Sequence, residues 1–141
     1  MNPGITIRFY RMSRWHLLHG LKLLSKIWYY FNLLVTNCAI PPEVQMGGGT
    51  RVTHGVGIVL HQRTEIGNNT VICQNVSIVN DKVIVGDNCL LGAGCVIIGP
   101  CRIGNNVKIG ANTVVNFDVP DESTVVGVTG RIIPHNKRKF Q

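Results

Sequence analysis

The side chains best equipped for chemistry in this 141-residue chain are five histidines and five cysteines. Histidine exchanges a proton near neutral pH, and both types can ligate metals. The cysteines are Cys38, Cys73, Cys89, Cys95 and Cys101. No two stand as Cys-x-x-Cys, so neither a zinc site nor a disulfide framework is indicated. Free thiols filling small apolar core positions are the expectation. With no cleavable signal sequence, they point to the cytoplasm. Of the histidines, His16 and His19 belong to a Trp- and Leu-rich segment and His135 to a basic tail. His54 stands apart in Thr53-His54-Gly55-Val56-Gly57, with His61 close behind. A zinc site would need three convergent histidines, and His61 is at best a second, so no metal is expected.

What must position His54 is a six-residue period. Apolar residues fall at Val85, Leu91, Ile97, Ile103, Ile109 and Val115. Four residues after each comes a small or β-branched residue: Cys89, Cys95, Cys101, Val107, Thr113 and Val119. Gly and Asn fill the gaps. A fixed period means a stacked repeat, and hexapeptides of this kind build a parallel β-helix. The register runs upstream through Ile78, Ile72, Ile66, Leu60, Val52 and Met46, with two residues inserted between Val52 and Leu60 and one near Asn80-Asp81-Lys82. Twelve hexapeptides result, or about four coils if three make one coil.

The chain divides into three parts. Residues 1–40 form a helical segment, 41–130 the β-helix and 131–141 a basic tail. Trp15, Leu18, Leu21, Leu24, Ile27, Trp28, Phe31 and Leu34 recur at three- and four-residue spacing, which predicts one or two amphipathic helices across roughly 12–36. Their apolar face is expected to pack on the coil or on a neighbouring subunit. The second reading is a basic, Trp-bearing helix on a membrane surface, peripheral to the inner membrane. The apolar run, broken by Lys26 and Asn32, is too short to span a bilayer. Residues 1–42 carry five Lys/Arg and no acid, 43–130 five basic and seven acidic residues, and 131–141 four basic residues. The basic residues do not interleave with aromatics along one element, so no nucleic acid is expected as a partner.

Counting three hexapeptides per coil puts Val52, Ile72, Leu91 and Ile109 on one face. The third positions, His54, Gln74, Ala93 and Ala111, then form an outward column. Ala93 and Ala111, flanked by Gly92, Gly94 and Gly110, leave backbone open to a ligand. An imidazole at one end of such a groove suits a long, thin cofactor with a reactive tip. Lys137-Arg138-Lys139 lies beyond the last coil, where it can meet phosphates.

Thr53-His54-Gly55-Val56-Gly57-Ile58-Val59 resembles the segment of serine acetyltransferases that carries their catalytic histidine. Ile109-Gly110-Ala111-Asn112-Thr113-Val114-Val115 and Val125-Val126-Gly127-Val128 resemble that family's closing coil. The entry, from Arg8-Phe9-Tyr10-Arg11 to Ile40-Pro41-Pro42, is similar to short serine-acetyltransferase-like proteins of polysaccharide gene clusters. The resemblance implies a left-handed, triangular β-helix, a homotrimer, and acetyl-CoA held in a cleft between adjacent coils. It implies His54 as general base on an acceptor hydroxyl. Ala93, Gly110, Ala111, Arg131, Lys137 and Arg138 would then bind the cofactor, with Gln74 and His61 toward the acceptor. Two departures stand out. The family's carboxylate that orients the histidine is replaced by Ala39, with Glu43 the only nearby acid. The family's longer loop with a second histidine is reduced to Asn80-Asp81-Lys82.

Three functions follow from this reading. The first is an acetyl-CoA-dependent O-acetyltransferase acting on L-serine. The second is the same chemistry on a sugar hydroxyl of a surface polysaccharide or its precursor. The third is a non-catalytic β-helix serving as an assembly module.

Overall fold

The computed structural model describes residues 4–128 and 130–134. Among the described residues two helices, α1 (Ile5–Leu18) and α2 (Lys22–Thr36), precede fourteen short strands. The strands are β1 (Gln45–Met46), β2 (Arg51–Val52), β3 (Val59–Leu60), β4 (Glu65–Ile66), β5 (Val71–Ile72), β6 (Ser77–Val79) and β7 (Val83–Val85). They continue as β8 (Leu90–Leu91), β9 (Val96–Ile98), β10 (Cys101–Ile103), β11 (Lys108–Ile109), β12 (Val114–Val115), β13 (Ser123–Val126) and β14 (Arg131–Pro134).

Every third strand lands on the same face. One sheet is β1-β4-β7-β10, a second β2-β5-β8-β11-β13-β14 and a third β3-β6-β9-β12. All pairings are parallel except β13 with β14, which closes the last coil as an antiparallel hairpin. The result is a three-sided parallel β-helix of four coils. The inward register is the one read from the period: Ile72, Ile78, Leu91, Ile97 and Ile103 are fully buried and stack into one core. Each such side chain contributes about 1.5–3 kcal/mol through burial.

One row of corners repeats as strictly as the strands. Asn69, Asn88 and Asn106 turn one corner at positive φ, a region Asn tolerates better than most residues. Beside them runs a polar ladder. The Gly48 amide donates to the Asn68 side chain, the Asn68 amide to Asp87, the Asp87 amide to Asn105 and the Asn105 amide to Asp121. Inside the same corner the Thr50 and Thr70 hydroxyls and the Cys89 thiol donate to the glycine carbonyls of the next coil.

The helices depart from expectation. They form a hairpin that begins at Ile5 rather than near residue 12, with Gly20 at φ +76° in the turn. Of the two packing partners expected for the apolar stripe, the coil or a neighbouring subunit, the coil is not the one: Leu18 is 68% exposed, Trp15 53% and Leu34 84%. The buried side is instead Thr6, Ile7, Tyr10 and Ser13 on α1 with Ser25, Asn32 and Thr36 on α2. Small polar residues and an aromatic cluster bring the helices together, the Ser13 hydroxyl donating to the Ser25 carbonyl at 2.7 Å and Phe9 packing on Trp28 and Phe31 at ring-centroid distances of 5.8 and 5.0 Å. The hairpin is tied to the coil entrance by Tyr10, whose hydroxyl donates to the Val44 carbonyl at 2.6 Å, and by Arg14, which donates to the Pro42 and Val44 carbonyls.

Two predictions follow from this packing. Ile97→Ala opens a cavity in the middle of the stack and lowers unfolding free energy by about 2–5 kcal/mol in chemical denaturation. Burial raises the Tyr10 phenol to about 12, even with Arg14 and Arg11 nearby. The folded state therefore holds this proton more tightly than the unfolded chain, whose tyrosines titrate near 10. The stabilisation is complete below pH ~10 and is lost as pH rises from there toward 12. Alkaline denaturation should become shallower over that interval in Tyr10→Phe.

Candidate active site

The two residues inserted between Val52 and Leu60 form a bulge at the corner joining β2 to β3, and His54 lies in it at φ +52°. Its side chain is exposed and has no hydrogen-bond partner among the described residues. The bulge is held from behind by α1. The Thr6 hydroxyl donates to the Gly55 carbonyl at 3.2 Å, and a Cβ added at Gly55 would collide with that hydroxyl. The first helix thus reaches the backbone next to His54, a contact that sequence spacing did not reveal.

The hydrogen bonds between coils correct the expected column. The Asn112 amide donates to the Ala93 carbonyl, the Gly94 amide to Gln74, the Asn75 amide to Val56 and the Gly57 amide to Asn37. The aligned residues are therefore Asn37, Val56, Gln74, Ala93 and Ala111. Val56 takes the place assigned to His54, which protrudes from the extra turn before it. Six-residue counting located the insertion but not which two residues it comprised. The signal was present: Gly57-Ile58 matches Asn75-Val76, Gly94-Cys95 and Asn112-Thr113, each beginning with a residue at positive φ.

Along this column the carbonyls of Gln74 and Ala93 are engaged between coils, so they are not open to a ligand as expected. The amides of Ala93 and Ala111 donate to no backbone carbonyl among the described residues. Gly92 keeps this surface low, because a Cβ there would lie 2.6 Å from the Ile109 carbonyl and 2.7 Å from the Ala111 amide. Gly110 follows β11 and hands its amide to Val125. Arg131 is exposed at the start of β14, while Lys137 and Arg138 lie outside the described residues.

Other candidates do not join His54 within one chain. His61 is at the opposite end of β3, beside a cavity of about 320 Å³ lined by Pro41, Val59, Val79 and Asn80. Its Nδ1 faces the Arg63 amide at 3.3 Å. Glu43 shares that far corner with Gln62, Arg63 and Lys82. Ala39 bridges Val59 as an extra rung before β3 and brings no carboxylate. The shortened loop is fastened by Arg63–Asp81 and Lys82–Glu65 ion pairs, each 2.7 Å. Burial, with the Cys73 thiol close by, pushes Cys95 up to about 12, and burial also raises Cys89 and Cys101. These three thiols are poor nucleophiles at neutral pH. No group of three or more metal-ligating side chains occurs among the described residues.

Residues 82–116 match the family model of the bacterial transferase hexapeptide, six repeats. The serine acetyltransferase of Bacillus subtilis (strain 168) is 34% identical over 127 residues, covering 85% of this chain and 57% of the relative. The serine acetyltransferase of Neisseria gonorrhoeae, solved in complex with serine, superposes with a TM-score of 0.85 at 33% identity, over 89% of this chain and 54% of that one. This chain is a serine acetyltransferase-like hexapeptide-repeat protein. A serine acetyltransferase solved in complex with CoA gives a TM-score of 0.86 at 30% identity, over 91% and 55% of the two chains. The chain thus spans only about half the length of the serine acetyltransferases it matches. What it shares with them is the coil together with the helices at its entrance.

If α1 sets the bulge, Gly55→Ala should lower stability by about 1–3 kcal/mol through overpacking and shift the His54 imidazole resonances in NMR spectra. Thr6→Ala in the same chain should recover much of both effects. Resonances of His54 that ignore Gly55→Ala would mean that the helix does not shape the site.

Proposed function

We propose that this chain is an acetyl-CoA-dependent O-acetyltransferase and that His54 is its general base. The observation that carries the reading is an exposed, unpartnered imidazole on a bulge, beside a glycine-flanked column whose Ala93 and Ala111 amides are unused. The identity to serine acetyltransferases across most of the chain supports it.

In this mechanism His54 removes the proton of an acceptor hydroxyl as that oxygen attacks the thioester carbonyl. The tetrahedral oxyanion is stabilised by backbone amide donors. Its collapse breaks the C–S bond, and the imidazolium returns the proton to the departing CoA thiolate. No covalent acyl-enzyme is required. The pantetheine arm would run along Ala93, Gly110 and Ala111, and the basic residues Arg131, Lys137 and Arg138 would meet the cofactor phosphates. His54 is open to solvent in the single chain, so a neighbouring copy in a homotrimer would supply the other wall of the cleft. A dry, two-walled cleft strengthens every polar interaction with the transition state.

L-serine and a sugar hydroxyl remain the two acceptor classes. The fastened three-residue loop at Asn80-Asp81-Lys82 lies at the far corner with His61 and would meet the acceptor only across a subunit boundary, where it brings no second histidine to grip an amino acid and so favours the sugar. Gln74 would then contact the acceptor from the column, with His61 reaching it only across a subunit boundary.

The test is thiol release from acetyl-CoA with L-serine and a panel of sugars and sugar nucleotides. His54→Ala should reduce kcat by about 100- to 10,000-fold while leaving CoA affinity nearly unchanged. A fully active His54→Ala ends the proposal. Wild-type protein that neither binds CoA nor acetylates any acceptor would support an assembly module instead.

A further inference from the structure

The helical hairpin presents a surface that the coil does not use. On α2 the buried side is Ser25, Asn32 and Thr36. Leu23, Ile27, Tyr30 and Leu34 stand on the opposite side of the helix, as the 3.6-residue repeat requires. Leu23 is 73% exposed and Leu34 84%. This arrangement inverts the usual surface helix, which buries its apolar stripe and wets its polar one. A contiguous exposed apolar face of this kind marks an interaction site.

Charge identifies the occupant. The first forty-two residues hold five cations and no acid. Arg14 is committed to backbone carbonyls, but Arg8, Arg11, Lys22 and Lys26 are exposed and make no ion pair among the described residues. Two such faces pressed together would oppose cation to cation, without a carboxylate on either helix to relieve it. An anionic lipid surface meets both requirements at once, taking the apolar side chains among its acyl chains and the cations at its headgroups. Trp15, exposed at the hairpin turn, is a residue type that favours this boundary. Neither helix is long and apolar enough to cross a membrane, so the hairpin would lie on the surface rather than span it.

We propose that the α1–α2 hairpin docks the protein onto an anionic membrane surface, with Leu23, Ile27, Tyr30 and Leu34 immersed and Lys22 and Lys26 at the headgroups. The inference does not depend on the catalytic assignment.

The experiment is vesicle co-sedimentation of the full chain with phosphatidylcholine alone and with phosphatidylcholine mixed with phosphatidylglycerol, at low and high salt. Wild type should bind only the anionic vesicles, release with salt, and show a blue-shifted tryptophan emission when bound. Lys22→Glu with Lys26→Glu should weaken binding by about thirtyfold or more. Leu23→Asn with Leu34→Asn should weaken it on the order of a hundredfold. Both pairs are exposed, so circular dichroism and the melting temperature should not change. Absent wild-type binding to anionic vesicles, or equal binding by the leucine variant, overturns the proposal. A smaller solution mass for the leucine variant, without vesicle binding by wild type, would assign the face to a second copy of the chain instead.

Discussion

The parallel backbone ladder between successive coils is the constraint on which the rest depends. Each strand is only two to four residues long and could not persist alone. Inside the stack it exists because the coil above and the coil below both pair with it, residue for residue, as Ile72 pairs with Val52 on one side and Leu91 on the other. That pairing requires the chain to return to the same register after every three strands. One row of corners enforces the return with Asn69, Asn88 and Asn106 at positive φ and a short side-chain ladder, and a second with Gly57, Asn75, Gly94 and Asn112 at positive φ. Glycine appears where coils approach too closely for a side chain: a Cβ on Gly86 would lie 2.7 Å from the Gly104 carbonyl.

The candidate site arises where this regularity is broken. A coil that kept strict count would place Val56 in the column and have no room for His54. Two extra residues lift the imidazole out of the ladder while Val56 and Gly57 resume it. The bulge has lost its ladder partners, so it needs support from elsewhere, and Thr6 of α1 provides it. The N-terminal hairpin therefore does two things: it closes the open end of the hydrophobic stack through Ile7 and Tyr10, and it backs the corner that carries the two-residue insertion. The same hairpin leaves Leu23 and Leu34 outside, because its coil-facing side is filled by Ile7 in the core and by Tyr10 and Arg14 on the entrance carbonyls.

Some of this was legible in the residues because a repeat writes its geometry into spacing. Ile97 and Ile103 are inward for the same reason that they are six apart. Cys89, Cys95 and Cys101 are buried where a small side chain fits, as their positions in the repeat indicated. The helices were less legible. Apolar periodicity reports which side of a helix avoids water, not what covers it. Here Ser13 with Ser25, and Phe9 with Trp28 and Phe31, join the helices, while Leu23 and Leu34 stay exposed.

The sequence by itself determined the coil, its inward residues, the place of the insertion and the chain's resemblance to serine acetyltransferases. It could do so because hexapeptide pairing is local: each residue's role depends on its neighbours six and about eighteen positions away. Only the tertiary structure decided the alignment within the broken coil, the contact from Thr6 to Gly55 and the outward face of the hairpin. These depend on hydrogen bonds and packing between segments that no period relates. The separation of His54 from His61 at opposite ends of β3 belongs to the same class. Seven residues of sequence put them close together, while the corners of a three-sided coil put them on different edges.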